Sequence, residues 1–232
     1  MMDGRDLFAK YHEILLDFQD MLDSPFRNPS RDSTPPLGFT GSSSPKGRKE
    51  VLEDLERTIQ SCTRCRLAQG RTHAVPGMGV LDPLVMVVGE GPGAEEDRQG
   101  LPFVGAAGQF LDKWLAAVGL SRETNTYIAN VVKCRPPGNR DPEGDEVASC
   151  FPYLIRQVEI VKPKAILAVG RIAAQHLLHT TQGIGSLRGT VHRWKGIPLV
   201  ATYHPSAVLR DMNLKRPVWE DLKRLKALLD TL

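Results

Sequence analysis

Hydrophobic residues recur along this chain in two rhythms. Leu7, Phe8, Tyr11, Ile14, Leu15, Phe18, Met21 and Leu22 fall at three- and four-residue steps, the spacing of one face of an amphipathic helix. This assigns residues 1–24 to an N-terminal helix. Across residues 25–47 apolar positions thin out among Pro, Ser, Gly, Asn and Arg, which predicts a flexible linker. From residue 48 to 232 the pattern alternates. Short apolar runs bounded by turn residues predict buried strands over 83–89, 126–132, 164–170 and 197–203. Helical periodicity predicts helices over 49–60, 106–118, 147–161, 171–179 and 217–229, the last with proline in its first turn. Strands alternating with helices imply a mainly parallel sheet covered on both faces.

In such sheets the ligand crevice lies at the carboxyl ends of the strands. That rule puts residues 89–93, Asn130, Gly170 and His204 on one rim. Gly89, Gly91 and Gly93 let backbone N–H groups approach a ligand closely. No P-loop Lys-Ser/Thr follows them, and no Gly-x-Gly-x-x-Gly dinucleotide turn is present, which argues against a nucleotide-phosphate loop. Phe103, in a loop just before a helix, offers a stacking platform for a flat ring, although core packing is the usual fate of phenylalanine. Asn130 presents an acceptor and a donor side by side, as a base edge requires; a turn or cap is its competing role. His204 at a strand end suits a proton donor or anion stabiliser.

Composition changes this picture in two respects. The 232 residues carry a net charge of only +3, which is compatible with a polyanionic partner without requiring one. The longest apolar runs are too short to cross a bilayer, and no secretory signal opens the chain, so a cytoplasmic location is expected. In that compartment the four cysteines, Cys62, Cys65, Cys134 and Cys150, favour a metal centre over disulfides. Only the first pair is tight. By spacing alone, tetrahedral zinc and a [4Fe–4S] cluster fit about equally.

Taken together, four motifs and the cysteines resemble a family 4 uracil-DNA glycosylase, the iron–sulfur branch of its superfamily. The motifs are Gly89-Glu-Gly-Pro-Gly93 with the acids after it, Gly100-Leu-Pro-Phe-Val-Gly-Ala-Ala-Gly108, Asn130-Val-Val-Lys-Cys-Arg-Pro-Pro-Gly-Asn-Arg140 and Tyr203-His-Pro-Ser-Ala207. Each is weak alone; all of them in order on one chain are specific. The resemblance covers about residues 52–232. It implies a three-layer α/β/α sandwich with a four-stranded parallel sheet, a [4Fe–4S] cluster on the four cysteines, and hydrolytic excision of uracil from DNA. Phe103 would stack on uracil, Asn130 would pair with N3–H and O4, Glu96 would crowd C5 against a methyl group, and His204 would donate to O2. Gly89 and Gly91 would lie against the substrate. Gly91 stands where other branches place a water-activating Asp or Asn, which leaves Glu90, then Asn139, to orient water. Arg135, Arg140, Arg188, Arg210 and Lys215 are candidate phosphate contacts. The expected partner is uracil-containing DNA bound by a monomer close to the nucleoid, with a protein partner as one use of the first helix. The competing reading is a protein that binds uracil-DNA without cutting it, or traps it covalently through His192, which is expected to face solvent on a strand.

Overall fold

The computed structural model describes residues 44–232. The N-terminal helix and most of the expected linker lie outside that range. The first helix, α1 (Pro45–Gln60), begins inside the stretch assigned to the linker and takes in Pro45, Lys46 and Gly47. Ser44 caps it, its hydroxyl accepting the Gly47 N–H at 3.2 Å, and proline fits a helix start because its missing N–H has no partner there.

Six strands form one sheet. These are β1 (Met78–Gly79), β2 (Val85–Gly89), β3 (Thr126–Asn130), β4 (Ala165–Val169), β5 (Val191–Trp194) and β6 (Ile197–Thr202), in the order β1-β3-β2-β4-β6-β5. The four predicted strands are the parallel centre, β3-β2-β4-β6. Antiparallel β1 and β5 extend it at either edge, so the expectation of a four-stranded parallel sheet is corrected to a mixed sheet of six. The central strands were visible in the sequence because burial on both faces makes them continuous apolar runs. The edge strands lack that signature: both residues of β1 are exposed, and β5 has Val191 and Arg193 exposed. β5 and β6 are joined by a two-residue hairpin, with Trp194 opposite Ile197 and positive φ at both Lys195 and Gly196.

Alternate residues of the centre feed two cores. Met86, Val88, Tyr127 and Ala129 pack against Leu55 and Ile59 of α1 and Phe151 and Leu154 of α5 (Gly144–Val161). Val85, Val87 and Ile128 pack on the other face, against Leu111 and Leu115 of α4 (Ala106–Ala117) and Leu222 and Leu225 of α9 (Lys215–Leu229). The remaining helices are α2 (Leu67–Gly70), α3 (Ala94–Gln99), α6 (Arg171–Leu178), α7 (Ile184–Leu187) and α8 (Pro205–Arg210). No helix among the described residues is long and apolar enough to cross a membrane.

Candidate active site

The carboxyl ends of β2, β3, β4 and β6 open on one cavity of about 370 Å³. Phe103, Asn130 and His204 all line it, together with Glu90, Gly91, Glu96, Asn139, Arg140 and Arg210. Arg171, Asp141 and Ser206 also line it; the two charges were not foreseen, because in sequence they look like ordinary solvated residues.

Asn130 ends β3 and is 1 % exposed, and its side-chain Oδ1 has no hydrogen-bond partner. A buried acceptor left unpaired costs about 1–3 kcal/mol, so such a group in a cavity wall points to a ligand that satisfies it. Gly89, the last residue of β2, lies directly opposite Asn130 in the ladder. A Cβ on Gly89 would stand 2.4 Å from Asn130 Oδ1 and 2.6 Å from the Phe103 ring. Gly89 therefore shapes the site by absence of a side chain; it is Gly91 that faces the cavity.

Phe103 sits in the left-handed region at φ 52°, an unusual conformation for a bulky residue. Its surroundings hold it there. Glu96 Oε1 accepts the N–H groups of Val104 and Gly105, both at 2.9 Å, and Arg122 donates to the Phe103 carbonyl at 3.0 Å. Gly108 of α4 lets that carbonyl approach: a Cβ there would be 1.9 Å from Phe103 O. Strain of this kind persists where the fold over-determines a side-chain position. Glu96 thus fixes the aromatic loop, whatever it also does toward a ligand.

His204 caps α8. Its ring centroid is 5.7 Å from that of Phe103. The Ser206 N–H donates to His204 Nδ1 at 3.2 Å, and Ser206 Oγ lies 2.8 Å from the same nitrogen. An Nδ1 that accepts leaves the single proton of a neutral ring on Nε2. Burial, reinforced by the positive charge of Arg210, pushes the imidazolium pKa down to about 4, so the ring is neutral at pH 7. Glu90 is shifted the opposite way. Burial and the neighbouring negative charge of Asp141 raise its carboxyl to about 7, with Arg171 pulling against them. Asn139 Oδ1 is already engaged by Arg135 Nε at 2.8 Å, which leaves Glu90 the freer of the two candidates for water.

The expected phosphate contacts divide. Arg210 stands exposed on the rim. Arg140 also lines the cavity but grips the buried Glu146 carboxylate through two bonds of 2.7 and 2.8 Å. Arg188 is not among the residues that line the cavity; it makes two 2.9 Å bonds to buried Asp221 and ties the end of α7 to α9. His192 lies on β5, half-buried, with Nε2 2.7 Å from the Leu187 carbonyl, so it does not simply face solvent.

The four cysteines, supplied by three separate segments, line a second, smaller cavity. Backbone and side-chain N–H groups already point at their sulfurs: Arg71 to Cys134 at 3.0 Å, Lys133 to Cys150 at 3.2 Å and Arg64 to Cys62 at 3.5 Å. Burial pushes the Cys150 thiol up to about 12 and raises Cys65 and Cys134 as well, so a bound metal must displace their protons. Among the described residues no three His, Cys, Asp or Glu side chains converge on a position for one metal ion. The all-sulfur donor set fits a thiophilic centre.

Residues 76–223 match the model of the uracil DNA glycosylase superfamily. A type-4 uracil-DNA glycosylase of Sulfurisphaera tokodaii is 43 % identical over 188 residues, covering 77 % of this chain and 85 % of that protein. One from Archaeoglobus fulgidus is 44 % identical over 186 residues, covering 76 % and 92 %. Another, from Thermotoga maritima, is 42 % identical over 184 residues, covering 78 % and 95 %. The chain belongs to the uracil-DNA glycosylase superfamily, and within it to the type-4 branch.

Proposed function

We propose that the protein draws a uracil nucleotide out of DNA into the larger cavity and hydrolyses its N-glycosidic bond, leaving an abasic site. The observation that carries this reading is the unpaired, buried Oδ1 of Asn130 in the cavity wall. Uracil N3–H would satisfy it, while uracil O4 would accept from the same amide. Cytosine presents the reverse polarity at both positions and would leave two buried groups unpaired, the kind of mismatch that discriminates strongly. Phe103 stacks on the ring, and Glu96 stands where a 5-methyl group would crowd it.

As the bond to the sugar breaks, negative charge develops on the departing base. His204 Nε2–H donates to O2 and stabilises that charge. Neutrality suits the role, because the ring donates without first having to lose a charge to burial. The sugar becomes cation-like, and Glu90 orients the water that attacks it. Arg210 and Arg135 steer the DNA backbone without reading sequence.

The four thiols are the ligands of a [4Fe–4S] cluster in this reading. Its support is the type-4 likeness together with thiols that surround a cavity from three segments, as a cluster binding each thiolate at a separate iron requires. Cys62 and Cys65 in the loop after α1, Cys134 after β3 and Cys150 on α5 would hold the cluster, and ligation by all four would tie these three segments together.

Incubation with a uracil-containing oligonucleotide, followed by alkali, tests the activity. Strand breaks confined to the uracil position are expected, and they should require the alkali because no lysine nucleophile is placed in the cavity wall. The pH dependence follows from Glu90. Only its ionised form accepts a proton from water, so kcat/KM should rise as pH increases through about 7 and level off above it. His204 adds no limb near pH 6.5, since it is already neutral there. An intact strand under conditions where the protein binds it would refute the enzyme, and a rate that falls as pH rises through 7 would remove Glu90 from the base role.

A further inference from the structure

Lys133 is among the most deeply buried side chains of the protein, 1 % exposed, and none of the ion pairs among the described residues includes it. Burying an ammonium without a carboxylate is costly, and a methionine of similar length would fill the same space. The two bonds that its amine makes say what the charge is used for. Nζ donates to the main-chain carbonyl of Asn130 at 2.7 Å and to Gln157 Oε1 at 2.6 Å. Gln157, on the same face of α5 as Cys150 and two turns further on, is itself fixed: its amide donates to the Pro76 carbonyl at 2.7 Å and to the Tyr127 hydroxyl at 3.2 Å. At its other end Lys133 donates its backbone N–H to Cys150 Sγ, and its carbonyl accepts the Val75 N–H at 2.7 Å.

We propose that Lys133 is a positioning residue for the base-reading amide, and that through it the cysteine-bearing segment sets the register of Asn130. The inference rests on the reading of Asn130 given above. Asn130 is the last residue of β3; on the β2 side its peptide is held by the Val131 N–H, which donates to the Gly89 carbonyl at 2.9 Å, and its own carbonyl, facing the other way, is held by Lys133. The charged donor pins the carbonyl at that point, and a charge-assisted bond is about twice as strong as a neutral one. With the peptide fixed, the side chain of Asn130 keeps its place between Gly89 and the Phe103 ring. The same lysine touches a thiol of the second cavity, so movement of Cys150 is transmitted three residues back to the reader. Lys133 does not line the larger cavity.

The test is a double-mutant cycle on the cluster-loaded protein, read as single-turnover excision and accompanied by iron content, visible absorbance and binding to abasic DNA. Lys133→Met is expected to keep its iron and its abasic-DNA affinity while slowing excision roughly 10- to 100-fold, the scale of a small misplacement in a site. In an Asn130→Ala background the same change should cost nothing further, because Lys133 acts through Asn130. Losses that multiply in the double mutant would overturn the proposal and leave the base-reading assignment intact. An Asn130→Ala protein as fast as the parent would overturn both. Should Lys133→Met lose its iron, Gln157→Met, which removes the lysine's second anchor and leaves the lysine in place, is read on the same cycle with the same outcomes.

Discussion

Asn130→Asp is expected to abolish nearly all uracil excision, a loss on the order of 10⁴-fold. The change is isosteric, so the cavity keeps its shape and the expected effect is chemical. An ionised carboxylate offers acceptors only. One oxygen can still take uracil N3–H, but the other meets O4, acceptor against acceptor, at a side chain that is only 1 % exposed. The side chain also loses the feature that marks it in the free protein, an amide with one buried acceptor waiting for a donor. Single-turnover excision measures this directly. Retention of the parental rate would take Asn130 out of the site.

His204→Ala should slow excision by roughly 10²–10³, about 3 kcal/mol, the scale of removing one donor from a developing oxyanion. The loss should fall on the chemical step rather than on DNA binding, because Nε2–H strengthens its bond only as charge builds on the departing base. The hydrogen bond from the Ser206 N–H makes a further distinction possible. It fixes the tautomer through the main chain, so Ser206→Ala should be mild beside His204→Ala. A His204→Ala protein within a few-fold of its parent, or one whose defect lies wholly in KM, would contradict the donor role.

What the sequence made legible follows from how strongly local chemistry marks each feature. The strands ending at Gly89, Asn130, Val169 and Thr202 were readable because a parallel sheet buried on both faces needs unbroken apolar runs. Once they were placed, the rule that ligands bind at their carboxyl ends brought Asn130 and His204 to one rim. The edges were not readable. Two exposed residues, Met78 and Gly79, carry no period, and the Lys195-Gly196 turn is outside the common Asn-Gly and Asp-Gly signals. The short helices α2 and α7 are too brief for helical periodicity to show.

Charged residues were the least legible part of the site. An arginine in sequence looks solvated, which makes Arg140 and Arg188 candidate phosphate contacts, yet each is bonded to a carboxylate with no exposed surface, Glu146 and Asp221. In sequence Lys133 is one more basic residue of the Asn130–Arg140 motif. Its burial depends on α5 closing over β3, a contact between segments that no local pattern encodes. Asp141, in the loop before α5, and Arg171, at the start of α6, pair at the cavity and add to burial in setting the environment of Glu90.

The most direct measurement is a crystal structure of the protein with uracil in the larger cavity. The account predicts the ring lying on Phe103, N3–H bonded to Asn130 Oδ1, O4 accepting from the same amide, and O2 at hydrogen-bonding distance from His204 Nε2. Uracil seated elsewhere, or seated there with Asn130 Oδ1 still unpaired, would contradict it.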